Sequence, residues 1–129
     1  MKNREIYDAA LRVLAEKCVD GANDDYEERA PYLIANFCCE SSRTDTAYRK
    51  AHSLGAAKKV SSVFLDLDTE FPCCERFTTA AIMYLAAMLI IDENTELSDK
   101  FFDMYSDAMS EICMEIPAVV ERIIDRYEF

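Results

Sequence analysis

The sequence predicts an all-α fold: four to five helices packed around a central apolar helix, in a single domain over residues 1–129, with one long irregular loop that has room for a short strand. Three observations predict it. The chain of 129 residues contains two glycines and three prolines, too few for the tight turns of a sandwich or barrel. Apolar residues recur along most of the chain at the i, i+3, i+4, i+7 spacing of a buried helical face. The run from Ala80 to Ile91 is apolar throughout, as expected of a helix covered on all sides. That run is shorter than the ~20 residues needed to cross a membrane, which makes it a core helix.

The first helix carries Ile6, Ala9, Ala10, Val13, Leu14 and Cys18 on one face, with Asn3 as the expected N-cap and Gly21 as the expected stop. Asn23, Asp24 and Asp25 form an acidic turn suited to the positive end of the next helix. The second helix is predicted from Tyr26 to Leu54. Pro31 lies near its start, where it is tolerated or introduces a kink. Ala30, Leu33, Ile34, Phe37, Cys38, Ser41 and Tyr48 share a face that turns polar at Ser41, Ser42, Thr44, Asp45 and Thr46. Either that half projects beyond the core or it meets something outside the chain. His52 and Gly55 are C-terminal signals.

Residues Gly55 to Pro72 form the long irregular stretch. Within it Val63, Leu65 and Leu67 alternate with Phe64 and Asp66, which predicts either a short strand or an extended crossing of the helices. A single strand would need a partner from another subunit. The third helix is predicted from Cys74 to Ile91. Asn94 or Thr95 caps a fourth helix that buries Leu97, Phe101, Met104, Tyr105, Ala108, Ile112 and Ile116, with Phe102, Met109 and Cys113 as a second stripe. Pro117 breaks or restarts it, and Val120, Ile123, Ile124 and Tyr127 give the last segment an apolar edge.

Composition bounds the function. Hydrophobic residues at 51% and charged residues at 30% exclude disorder. A formal net charge of −11 argues against nonspecific nucleic-acid binding and against anionic membrane surfaces, and suits a basic protein partner. The opening MKNREIYDAALRVL has no apolar core of the signal-peptide kind. With Cys38-Cys39 and Cys73-Cys74 as adjacent pairs, and Cys18, Cys38 and Cys113 on apolar stripes, a cytoplasmic chain with free thiols is expected, located in a virion after assembly under the resemblance given below.

No motif specifies a catalytic residue, cofactor or metal. His52 has no carboxylate or cysteine at a catalytic spacing, and its position beside Arg49 and Lys50 suits a helix C-terminus. Adjacent cysteines point about 100° apart on a helix and lack the spacing of zinc ligands. Asp66, Asp68 and Glu70 would share a face of an extended segment and could hold a cation, but Phe71 and Phe77 stand where a calcium loop of the EF-hand type needs Gly and Glu; Asp68 and Glu70 fit better as charges serving the start of the third helix. Two widely separated glycines leave no phosphate loop. Arg43, Arg49, Lys50, Lys58 and Lys59 gather positive charge on an acidic chain, which suggests head-to-tail association with an acidic neighbour or a solvated helix end. Together with Val63, Phe64, Leu65, Asp66 and Leu67 they form the candidate interface.

The order of features DDYEERAPYLIANFC, VFLDLDTEFP, FTTAAIMYLAAMLIIDE and LSDKFFDMYSDAM resembles small helical head-tail joining (connector) and tail-adaptor proteins of tailed phages and prophages. The likeness covers roughly the last two-thirds of the chain. Its fourth-helix pattern places Ser98, Phe101 or Phe102, Tyr105 and Met109 in an A-x-x-F-x-x-x-Y-x-x-x-M/L series, with Ser98 departing from the alanine. The resemblance implies a non-enzymatic virion-assembly protein that forms a homo-oligomeric ring with portal or tail proteins, its long helix and extended loop making the subunit contacts and an acidic lining letting DNA pass. A different class is an acidic adaptor or regulator, for example toxin-neutralising or anti-defence, that occupies a basic cleft. A small thiol or metal enzyme is a third.

Overall fold

The computed structural model describes residues 1–15, 24–60 and 62–117. They form α1 (Asn3–Val13), α2 (Asp24–Ala51), a 3-10 turn (Glu75–Phe77), α3 (Thr78–Ile90) and α4 (Thr95–Met114). The architecture is all-α, as the helical periodicity predicts. α3 is the centre and packs against α1, α2 and α4. Its Ala80, Ala81, Ala86 and Ala87 are buried, and their small side chains allow close approach of the neighbours. Ser98 Oγ donates to the Ala87 carbonyl at 2.9 Å, a buried hydrogen bond that fastens α4 to α3 and contributes about 1 kcal/mol. Gly21, Cys18 and the apolar edge Val120 to Tyr127 lie outside the described residues.

Phe37 of α2 is the aromatic hub. Its ring contacts Phe71 at 6.3 Å, Tyr84 at 5.8 Å and Tyr105 at 6.1 Å, so one side chain ties α2, the long loop, α3 and α4 together. Full burial of such a ring stabilises by about 2–3 kcal/mol. α2 continues unbroken through Pro31. Asn94 is the residue that caps α4, accepting from the Leu97 N–H at 3.1 Å. The third helical segment begins as the 3-10 turn, so α3 proper starts at Thr78 rather than Cys74. Met104, expected inside, is exposed.

The long loop holds no strand among its described residues. Its one pairing is an isolated antiparallel bridge between Lys2 and Glu70. The loop instead serves as the cap of α1. Asn3 N–H donates to the Thr69 carbonyl at 3.0 Å and Arg4 N–H to the Leu67 carbonyl at 2.8 Å, satisfying donors that a helix start leaves without an internal partner. Lys2, not Asn3, occupies the N-cap position. Asn3 is fully buried, and its Nδ2 donates to the Asp66 carbonyl at 3.0 Å and Thr69 Oγ1 at 3.2 Å. The acidic alternation serves the same junction: Asp68 pairs with Arg4 at 3.1 Å and Glu70 with the Met1 amino group at 2.9 Å. These carboxylates therefore attend α1, not the third helix.

α2 ends one turn before Gly55. Ser53 has φ 55°, Leu54 N–H donates to Arg49 C=O at 2.8 Å and Ser53 N–H to Lys50 C=O at 3.4 Å. This is the Schellman arrangement, with serine in the left-handed position that glycine usually fills.

Candidate interaction surface

α2 spans 28 residues, or roughly 42 Å, and the candidate surface is divided between it and the loop that follows. Arg43, Lys50, Lys58 and Lys59 are exposed, with no ion-pair partner among the described residues. Arg49, expected beside them, turns inward. Its Nε lies 3.0 Å from Asp45 Oδ1, and its other nitrogens donate to the Gly55 and Pro72 carbonyls, each at 3.3 Å. Asp45, only 2% exposed, also accepts from the Cys74 N–H at 3.1 Å. The pair holds the end of α2 against the loop and the start of the third helical segment. Arg49 is thus an internal strut, and the basic strip consists of the other four residues.

The extended segment divides as well. Leu67 is buried and Leu65 half-buried, whereas Val63 is 79% exposed and Phe64 is exposed. Phe64 is set by a local turn, in which its N–H donates to Ser62 Oγ at 3.1 Å, and by Leu65 N–H, which donates to the Pro31 carbonyl at 3.2 Å. That anchoring lays Phe64 edge-on against Tyr32, ring centroids 5.2 Å apart. Tyr32 is 55% exposed. On one side of this aromatic ridge a cleft of about 480 Å³ is lined by Glu27, Glu28, Arg29, Pro31, Tyr32 and Phe64. On the other a cleft of about 410 Å³ is lined by Tyr32, Ala35, Asn36, Cys39, Ser62 and Val63. Tyr32 lies outside the apolar stripe of α2, and the signal for it in the sequence is a large aromatic on the polar side of that helix.

A second feature was equally legible. Glu96, Asp99, Asp103, Asp107 and Glu111 recur at intervals of three and four, so they share one side of α4. All are exposed, and none has an ion-pair partner among the described residues. Exposed Lys100, four residues after Glu96 and three before Asp103, lies on the same side and offsets part of the repulsion between the carboxylates.

No family model, curated protein or solved structure matches this chain.

The remaining candidates are placed as follows. Cys38 and Cys73 are both buried in the core. The influence of the neighbouring Cys73 thiol, followed by burial, pushes the Cys38 thiol above its ordinary range, which disfavours the nucleophilic thiolate. Cys39 and Cys113 are exposed, and Cys74 is half-buried. Among the described residues no group of three His, Cys, Asp or Glu side chains is placed to hold a metal ion. His52 is exposed and stacks on Tyr48 at 4.1 Å, its Nδ1 3.0 Å from the Tyr48 carbonyl at the end of α2. No helix among the described residues is long and apolar enough to cross a membrane.

Proposed function

We propose that this chain is a non-enzymatic assembly protein that acts by docking to other proteins, and that it serves as a head-tail connector or tail-adaptor subunit of a phage or prophage. The observation that carries the assembly reading is the segregation of charge: an exposed basic strip, Arg43, Lys50, Lys58 and Lys59, on one helix and its loop, and an exposed acidic stripe, Glu96 to Glu111, on another. Opposite strips on different elements of one chain suit head-to-tail contact, which closes into a ring when the rotation permits. The phage assignment rests on the resemblance of the helix order. Under it, the acidic surface keeps passing DNA from sticking, and the chain works in the cytoplasm until it enters a virion. Partners are portal or tail proteins and further copies of the chain.

Co-sedimentation of the purified chain with isolated portal and tail components tests the specific assignment. Binding to one of them, together with portal, capsid or tail genes flanking the coding sequence, supports it. Absence of both sinks it. A second reading, an acidic adaptor seated in a basic cleft of a toxin or host enzyme, is favoured by the same acidic stripe, and a pull-down returning a single host enzyme would select it.

A further inference from the structure

We infer that the two clefts flanking Tyr32 form one docking site for a cationic amphipathic segment of a different protein, which seats a large apolar side chain on either side of the tyrosine ring and a lysine or arginine over Glu28. The inference rests on the proposed function only for the premise that the chain acts through protein partners.

Both clefts are lined by Tyr32, together with Pro31 and Phe64 in one and Ala35 and Val63 in the other. Exposed aromatic and aliphatic side chains around adjoining concavities are the anchor geometry of peptide recognition. Charge then selects among apolar segments. Arg29 at the edge is already engaged, with Asp25 at 3.2 Å and the Met88 carbonyl at 2.8 Å. Glu27 is paired with Arg4 at 3.1 Å. Glu28 lines both the first cleft and an adjoining recess shared with Asp24, and neither Glu28 nor Asp24 has an ion-pair partner among the described residues. The open charge at the mouth is therefore negative.

A second copy is a poorer occupant. Near its basic residues the large exposed apolar side chains are Leu54, Val63 and Phe64; the last two already line that copy's own clefts, which leaves Leu54 where two clefts need filling.

The test is selection of a random ribosome-displayed dodecapeptide library on the immobilised full-length chain, followed by affinity measurement of the best synthetic peptide. Enriched peptides are expected to pair lysine or arginine with at least two large apolar residues. Tyr32→Ser and Glu28→Lys should each weaken that peptide about tenfold or more, while Met114→Ser, also at an exposed apolar residue, should leave it unchanged. Circular dichroism verifies each fold; if Tyr32→Ser does not fold, Glu28→Lys decides. No enrichment, enrichment of acidic peptides, or an affinity indifferent to the substitutions overturns the inference. So does a dimer that buries Tyr32 and is dissociated by the peptide, which would make the second copy the occupant. Peptide binding without any virion partner would leave this site standing and remove the phage assignment, and the converse result would do the reverse.

Discussion

Arg49 Nε sits 3.0 Å from the carboxylate of Asp45, one turn earlier on α2, and that carboxylate also receives the backbone N–H of Cys74. A buried pair of this kind is costly to break from one side, because the surviving charge stays desolvated. Asp45→Ala should destabilise the fold by about 3 kcal/mol, whereas Arg43→Ala and Lys58→Ala, on exposed side chains, should each change it by less than about 0.5 kcal/mol. Urea denaturation of the three variants checks this. Equal effects would mean that Arg49 and Asp45 are no more than a solvated helix pair.

Ser53 holds φ 55° at the end of α2 and Ala15 holds φ 60° just beyond α1. A non-glycine residue in this region carries a penalty of about 1 kcal/mol, part of which glycine returns as added chain entropy when unfolded. Ser53→Gly should therefore be neutral to stabilising by about 0.5 kcal/mol, and Gly55→Ala should be tolerated, since nothing lies within 4 Å of the added carbon. Thermal melts of both variants are the measurement. Had Gly55 been the working stop of α2, the order would be reversed.

The thiols should divide by position. Cys39 and Cys113 are exposed, while Cys38 and Cys73 are buried. Iodoacetamide followed by peptide mass mapping should label the first two rapidly and the second two only on unfolding. Because the Cys38 pKa is raised, by the neighbouring Cys73 thiol first and burial second, Cys38 in the folded chain should stay unlabelled at mildly alkaline pH as well.

Arg76 grips Glu115 through three contacts between 2.6 and 3.2 Å, joining the start of the third helical segment to the end of α4. The guanidinium holds the Glu115 carboxyl below the ordinary glutamate range. A carboxyl depressed in the folded state contributes stability above its unfolded pKa and loses it as pH falls through the lower folded value. Carbon-detected NMR titration should find Glu115 below the ordinary glutamate range in the native chain and back within it in Arg76→Gln. An unshifted Glu115 would show that the pair is not populated in solution.

Much of the fold was legible because burial on helices is periodic. The face of α2, the all-round apolarity of α3 and the Asn94 cap follow from spacing and residue type, whereas on α1 Val13 is exposed and Tyr7 and Leu11 are buried instead. What escaped the reading depends on contacts between distant parts of the chain. Asn3 looks like a cap by type, yet its partners Asp66 and Thr69 lie in the loop, and no local pattern announces them. Arg49 sits among basic neighbours in sequence but faces inward because Gly55 and Pro72 present carbonyls to it. Val63, Phe64 and Leu67 read as one alternating strand, and only the docking of the loop onto Pro31 and onto the start of α1 decides which of them face solvent.

The assembly claim is tested most directly by multi-angle light scattering of the purified chain across a salt series, with Lys58→Glu/Lys59→Glu as the variant. At low salt the expected mass is several times the 14.7 kDa of one chain. That mass should fall as salt screens the strips, drop in the variant, and recover when Asp103→Lys/Asp107→Lys is added to it. A mass of 14.7 kDa for the unmodified chain at every salt concentration would contradict head-to-tail assembly.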